Sequence, residues 1–414
     1  MLSAREALST ILGAVNPSAP VPTPLREAAG RVLAEDLVSE EAVPRFTHSA
    51  MDGFAVRSED VRENGAVLAV VETLPAGVSS RRRLRPGEAA RIMTGAPVPD
   101  GADAVVPVED ADALPGAVLA PAGVEPGQHI RCAGEEIRAG ETLLAAGRLL
   151  RPADIGLFAT LGKTSVRAIP APRVVVLTTG SEVVDSGSEA GPGQIRNANL
   201  PAVSAAAERA GARVLWGRHV ADEPDALRRS LAGTGADAII TCGGVSAGDF
   251  DFVKQVLAEL GEIAFWKVAI KPGKPFVFGR IGEAWVFGLP GNPVSALLAF
   301  ELFVRPALRR MAGLPGDGMP RARGVLAAAV PHRAGREEYV RVRVGWTGSA
   351  WRAEPLPWQG SGMLRSLTEA GAWMVIPEDS SGLPAGAEVD LCFPDGWPAA
   401  GAPAAEPSFA RPAC

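Results

Sequence analysis

Hydrophobic and polar positions change their spacing along the chain, and the changes mark its segments. Over Ser3–Leu12 the apolar residues fall at helical intervals, which predicts a short amphipathic helix. Pro17, Pro20, Pro22 and Pro24 then exclude helix, because proline has no N–H for the ladder. A second helix is predicted over Leu25–Ala34, weakened by Gly30. From Ala42 to about Gly134 the apolar runs become short. Val67–Val71, Ala89–Met93 and Ala104–Val108 are separated by Gly, Pro and Asp turns, which reads as a small β-rich domain. Gly134–Gly147 is rich in turn residues, Pro152–Leu161 reads as helix, and Pro170-Ala171-Pro172 reads as a linker.

From Arg173 the pattern alternates between strand and helix. Strands are predicted at Val174–Leu177, Arg213–Trp216, Ala238–Thr241, Trp266–Ile270 and Trp285–Gly288. Helices are predicted at Ala198–Ala210, Pro224–Ala232, Phe252–Leu260 and Val294–Met311. Such alternation over about 140 residues predicts a doubly wound, mainly parallel sheet, whose ligands collect at the carboxyl ends of the strands. After Gly313–Pro320 short strands return at Gly324–Val330, Glu338–Trp346, Ala350–Pro355, Trp373–Ile376 and Glu388–Cys392, as expected for a small barrel. Ala399–Cys414 is Ala/Pro-rich without periodicity and is expected to be a disordered tail.

Composition narrows the class. The chain has 414 residues, too many for one core, so several domains are expected. Hydrophobic residues make up 47% and the formal net charge is −6, which suits a soluble protein and argues against a general nucleic-acid binder. No run of about 18 apolar residues predicts a membrane span, and Met1–Leu12 lacks the basic start and apolar core of a signal peptide. Cys132, Cys242, Cys392 and Cys414 are scattered without metal-site spacing, as expected of reduced cytoplasmic thiols. Lysine is scarce: Lys163, Lys254, Lys267, Lys271 and Lys274 are all there are among 41 basic residues. A lysine kept where arginine is the default points to a need for a compact charge. Arg81-Arg82-Arg83-Leu84-Arg85 has no aromatic neighbours and reads as a solvated loop.

The unusual loops of the α/β segment fall where strands are predicted to end. They are Thr178-Thr179-Gly180-Ser181-Glu182, Gly243-Gly244-Val245-Ser246 with Asp249 and Asp251, Lys271-Pro272-Gly273-Lys274-Pro275, and Leu289-Pro290-Gly291-Asn292-Pro293-Val294-Ser295. In a parallel sheet they share one edge. Bare glycine N–H groups, hydroxyls, two lysines and carboxylates together suit an oxyanion or phosphate ligand with a divalent cation. Each loop also has a plainer reading. Asp249 or Asp251 can cap the Phe252–Leu260 helix, Asn292-Pro293 can be a capped helix start, and the lysines can lie on a surface loop.

Together these four loops closely resemble those of molybdopterin molybdenumtransferases, the MoeA type shared with the E domain of gephyrin. Ser49-Ala50-Met51-Asp52-Gly53-Phe54-Ala55 is similar to that family's SAMDGYA signature. Met93-Thr94-Gly95-Ala96-Pro97, Gly134-Glu135-Glu136-Ile137, Arg336–Arg343 and Gly360-Ser361-Gly362 follow in the family's order. Three positions depart from it. Phe54 stands where Tyr is usual, Glu136 where Asp is commoner, and Ala370-Gly371-Ala372 where the family commonly has Ala-Asn.

The resemblance implies an enzyme that hydrolyses adenylyl-molybdopterin, inserts molybdate at the dithiolene and releases AMP with Mg2+. It also implies an elongated homodimer whose cleft draws on both subunits. The expected fold is multidomain, α/β and β. A doubly wound α/β domain (171–318) is flanked by a small β-rich domain (46–135) and a C-terminal β-barrel (319–398). A helical linker domain (1–45 with 136–170) and the tail (399–414) complete it. Carried over, Asp251, Asp222 and Glu182 would hold the cation and phosphate. For Asp222 a capping role before Pro224 is the alternative. Asp52 and Glu136 would act from the neighbouring subunit, with Thr94 and Arg131 on the same face. Thr179, Gly180, Ser181, Gly243, Gly244, Ser246, Pro290, Asn292, Pro293 and Ser295 would line the substrate. Lys271 and Lys274, with Arg341 or Arg343 and Ser361, would clamp molybdate, since every oxygen of a tetrahedral oxyanion accepts charge-assisted hydrogen bonds. A molybdopterin adenylyltransferase is an expected partner and, as an activity, the nearest alternative, because it uses the same α/β fold; the flanking domains argue against it. A gephyrin-like scaffold is the other, and the presence of Asp52, Glu182 and Asp251 argues against that. A generic nucleotide- or sugar-phosphate-binding enzyme would leave the flanking domains unexplained.

Overall fold

The computed structural model describes residues 1–61, 63–245 and 252–394. The chain forms two compact units. One comprises Met1–Ala34, Leu149–Arg151 and the chain from Arg167; the other comprises Glu35–Arg148 and Pro152–Val166.

The first unit is built on a six-stranded sheet. Its order is Arg213–Val220, Arg173–Thr179, Ala238–Cys242, Ala284–Leu289, Pro275–Ile281, Glu262–Lys267. The first four strands are parallel, and the last two join as an antiparallel edge. Successive side chains of a strand face opposite ways, so each strand feeds two cores. Val174, Val176, Ile240 and Phe287 pack with the Asn199–Arg209 and Pro293–Ala299 helices on one face. Val175, Leu177, Ile239 and Val286 pack with Pro224–Leu231 and Phe252–Leu260 on the other. The N-terminal helix Ala4–Ala14 carries a Ser3–Glu6 capping box and contributes Ala7 and Ile11 to the first of these cores.

The sheet's edge corrects one expectation. The strand expected at Trp266–Ile270 is Glu262–Lys267, and Ile270–Lys271 instead pairs with Glu337 and Glu338 of the C-terminal barrel. Pro275–Ile281, which the pattern did not single out, is a full strand. The reason is connection length: Val268–Lys274 is shorter than the dozen or so residues a parallel crossover requires, so the chain turns back antiparallel. A second correction concerns Leu25–Ala34. Only Leu25–Ala28 is helical, because Gly30 takes φ +77° and turns the chain into the Val32–Leu33 strand. The expected Val294–Met311 helix starts at Pro293 and passes through a π segment at Phe300–Val304. That segment lies just ahead of Pro306, whose missing N–H already breaks the regular ladder.

Downstream, Glu337–Trp346, Trp351–Pro355, Arg321–Leu326, Glu388–Cys392 and Ala372–Ile376 pair in sequence, and the last returns to the first. The ring is a small closed barrel around Val340, Val342, Ala353, Met374 and Leu391. In the second unit a six-stranded sheet runs Ala104–Pro107, Gly53–Val56, Glu88–Ile92, Ala66–Leu74, Ala117–Ala120, Asp112–Leu114. Arg81, Arg82 and Arg83 lie exposed, as a solvated loop should.

Candidate functional site

The parallel strands bring their carboxyl ends to one edge of the first unit's sheet. There Gly243 approaches Thr179 so closely that a Cβ would lie 2.6 Å from the Thr179 carbonyl oxygen, and φ is +96°. Only glycine fits. The Gly243 N–H is spent on the Leu289 carbonyl, at 3.1 Å, so it braces two loops rather than facing a ligand. Thr179 donates its hydroxyl to Asp222 at 2.9 Å. The N-cap of Pro224–Leu231 is Glu223, without a side-chain bond, so the Asp222 carboxylate that Thr179 holds is not that helix's cap. At the next residue, a Cβ on Gly180 would stand 2.9 Å from a Glu182 carboxylate oxygen. Two carboxylates thus flank the Thr179–Gly180 step, with Ser181 exposed beside them. Behind it, buried Asn197 donates to Thr178 at 2.7 Å and accepts from the Leu200 N–H, tying the loop to the Asn199–Arg209 helix.

The other two loops meet the barrel. Asn199 donates to the Gly291 carbonyl at 2.6 Å, and the Gly273 turn lies against Ser295, which is buried. Asn292 is the N-cap of Pro293–Ala299 with proline at N1, but its side chain makes no cap bond; it lies toward Gly362. The Val294 N–H donates to the Ser361 carbonyl at 3.1 Å. Pro290 is buried between these contacts. Arg341 is wholly buried (0% exposed) and braces the same loop, donating from Nη2 to the carbonyls of Trp358 and Gly360 at 3.0 and 3.2 Å. Its Nε and Nη1 have no hydrogen-bond partner among the described residues. Burial pulls its pKa down to about 10, partly offset by the charge of Glu338. Arg343 instead lies on the surface and pairs with Glu369 at 2.6 Å, so of the two arginines Arg341 is the one at the Ser361 loop. Lys271 pairs with Glu338 at 2.8 Å, and Glu338 also holds His332. Lys274 is exposed, with no ion-pair partner among the described residues.

In the second unit, Ser49 is buried, and its backbone bonds with Gly95 and Ala96 knit the Ser49–Asp52 turn to the Thr94 loop. Asp52 accepts from both the Thr94 N–H and hydroxyl at 2.7 Å. The backbone N–H foremost, then the hydroxyl, holds its pKa below the usual carboxylate value. Gly53 is obligatory, since a Cβ would meet the Val106 carbonyl at 2.0 Å. Phe54 is 3% exposed in the apolar core, so the hydroxyl lost relative to tyrosine is replaced by packing. Ile130–Arg131 pairs with His48–Ser49, and Arg131 forms an ion pair with Glu135 at 3.0 Å. Glu136 is exposed beside Glu135, Arg138 and Glu141 around a hollow.

Ser246, Asp249 and Asp251 lie outside the described residues, as does the 399–414 tail. The first unit therefore presents Asp222 and Glu182 as described cation candidates, and no group of three or more metal-ligating side chains occurs among the described residues. Oxygen ligands of this kind fit Mg2+, which needs only one or two carboxylates when substrate phosphates supply the rest. Sequence reasoning missed Asn197 and His332, and it named Glu338 only as part of the Arg336–Arg343 stretch, with no role of its own. Neither Asn197 nor His332 stands in a glycine-rich or lysine-bearing motif; only the fold brings them to the site.

The chain matches three family descriptions in succession. They are MoeA N-terminal region (domain I and II) at residues 2–162, "Probable molybdopterin binding domain" at 175–310, and MoeA C-terminal region (domain IV) at 323–392. Molybdopterin molybdenumtransferase 2 of Mycobacterium tuberculosis is 38% identical over 403 residues, covering 94% of this chain and 99% of the relative. The molybdopterin molybdenumtransferase of Haemophilus influenzae is 35% identical over 373 residues, covering 89% and 92%. The crystal structure of a molybdopterin biosynthesis MoeA protein from Pyrococcus horikosii superposes with a TM-score of 0.80 at 31% identity, covering 96% of this chain and all of that one (100%). With its sheet-edge loops, its barrel and both flanking regions accounted for, the chain belongs to the molybdopterin molybdenumtransferase (MoeA) family.

Proposed function

We propose that this chain is a molybdenum insertase of molybdenum cofactor biosynthesis. It hydrolyses the adenylyl phosphate bond of adenylyl-molybdopterin, releases AMP, and inserts molybdenum from molybdate at the dithiolene, whose two thiols displace molybdate oxygen as water. The observation that carries this reading is the cationic corner where the lysine loop, Ser295, the Ser361 loop and Arg341 converge. Arg341 backs this corner: wholly buried, it holds the Trp358 and Gly360 carbonyls in place and sets a fixed positive charge behind the Ser361 loop, which favours a dianion in front of it. Lys271 and Lys274 add compact charge beside it, in a chain that otherwise favours arginine.

Across the sheet edge, Asp222 and Glu182 suit the phosphate end. Mg2+ held there would neutralise phosphate charge and polarise the adenylyl phosphorus toward water. Thr179 fixes Asp222, and the glycine geometry at 180 keeps the Glu182 carboxylate close, so both are preorganised. Asp52, Thr94, Arg131 and Glu136 belong to the second unit, and we place them in the cleft of a neighbouring subunit in a homodimer, as in the family's pattern. The adenylyltransferase that supplies the substrate is a candidate partner. A cytoplasmic location accords with free cysteines and with the finding that no helix of the described residues is long and apolar enough to cross a membrane.

Purified protein supplied with adenylyl-molybdopterin, molybdate and Mg2+ tests the reading. Asp222→Asn should stop AMP release while molybdate affinity holds. Lys274→Ala should weaken molybdate binding, measured by calorimetry, by about tenfold, the cost of one charge-assisted bond. An unchanged affinity would remove Lys274 from the clamp.

A further inference from the structure

Lys271 does not stand alone beside the oxyanion corner. It pairs in parallel register with Glu338, and its Nζ lies 2.8 Å from Glu338 Oε1. The other carboxylate oxygen, Oε2, lies 2.7 Å from Nδ1 of His332. The His332 side chain is 0% exposed and that of Glu338 12%. The chain forms a line from the core outward: imidazole, carboxylate, ammonium. His332 is itself pinned by backbone, since Val330 and Pro331 pair with Leu383 and Gly382. The charge of Glu338 also acts on Arg341, so one carboxylate influences two of the corner's cations.

We propose that His332 is a positioning residue for molybdate binding, acting through Glu338 on Lys271. The inference rests on Lys271 belonging to the oxyanion clamp. Lysine has a four-carbon stem with much rotamer freedom, and a half-exposed one is poorly placed by itself. Glu338 takes one of its three ammonium donors and leaves two for an oxyanion. A surface carboxylate would swing with it and fix little. His332, immobile and buried, denies Glu338 that freedom. Its Nδ1–H donates to the carboxylate, and Nε2 is buried with no partner among the described residues. An imidazole buried with one face unpaired is not the residue packing alone would select at this position. Partners of this outer kind set the orientation of binding groups and commonly change affinity about tenfold or more when lost.

His332→Asn and His332→Gln separate this role from packing. Both fill much of the imidazole's space, but Asn carries its amide where Nδ1 stood, and Gln carries it where Nε2 stood. Sodium molybdate titrated calorimetrically into the full-length variants is the direct readout, with steady-state KM and kcat for molybdate beside it. His332→Asn should bind within about twofold of the parent, whereas His332→Gln should bind about tenfold more weakly, with KM raised and saturating kcat retained. Equal affinities for the two variants overturn the proposal, as does a loss confined to kcat. Lys271→Ala is the control. If it leaves molybdate affinity unchanged, the clamp assignment itself is wrong. If it weakens binding while the His332 pair does not differ, the clamp stands and the positioning role falls.

Discussion

At the scale of single residues, the charged groups of the site are distinguished less by their type than by what holds them. Asp52 is exposed, yet two bonds from Thr94 hold its pKa down. Its folded pKa lies below the unfolded one. The Thr94 bonds therefore stabilise the protein at pH values above the unfolded pKa, and that contribution is lost as pH falls through the folded value. Thr94→Val removes the hydroxyl bond and spares the backbone one, so the Asp52 midpoint, followed by carboxyl NMR, should rise part of the way to the ordinary range. A midpoint that stays put would show that the hydroxyl does not hold the carboxylate. Arg341 works in the opposite setting, wholly buried, where its value lies in bracing the carbonyls of Trp358 and Gly360. Arg341→Met should leave those carbonyls unpaired at about 1–3 kcal/mol and weaken molybdate binding together with thermal stability. Loss of binding with full stability would mean that the arginine touches ligand without supporting the loop.

At the scale of elements, the glycines define how near the loops come. Gly243 sits with φ +96° against Thr179, and Gly53 sits against Val106. Gly243→Ala should cost roughly 1–3 kcal/mol in strain and displace the Thr179–Asp222 bond, lowering both melting temperature and AMP release. Normal stability and turnover in that variant would contradict the close packing of these loops. Gly243 was legible as a glycine-rich turn after an apolar run, and Gly53 only through the resemblance of Ser49–Ala55 to the family signature. The helices Ala4–Ala14, Asn199–Arg209, Pro224–Leu231 and Phe252–Leu260 were equally legible, because 3.6-residue spacing and proline or serine starts are local signals. The antiparallel edge at Pro275–Ile281 was not, because Pro272, Gly273 and Pro275 read as a loop and hid the strand behind them. Nor were His332 and Asn197, nor the role of Glu338, whose stretch Arg336–Arg343 was marked only by the family resemblance. Their importance arises from contacts made across barrel and sheet.

At the scale of the molecule, the sheet and barrel of the first unit carry the residues proposed for the oxyanion and phosphate ends, while Asp52, Thr94, Arg131 and Glu136 sit on the second unit. The proposed dimer makes a definite demand. Asp52→Asn and Asp222→Asn homodimers should each be inactive. Subunits mixed after dissociation should recover about a quarter of parental activity, since half the dimers are mixed and each rebuilds one intact site. No recovery, with mixed dimers demonstrated, would place both residues in a site of one subunit. The proposed coupling of adenylyl hydrolysis to molybdate transfer can be followed in a single-turnover reaction of the parent protein with adenylyl-molybdopterin, molybdate and Mg2+. AMP released and molybdenum bound to the dithiolene should appear in equal amounts, and molybdenum incorporation should vanish when adenylyl hydrolysis is blocked by Asp222→Asn. AMP release without molybdenum incorporation, or incorporation that proceeds undiminished in that variant, would contradict it.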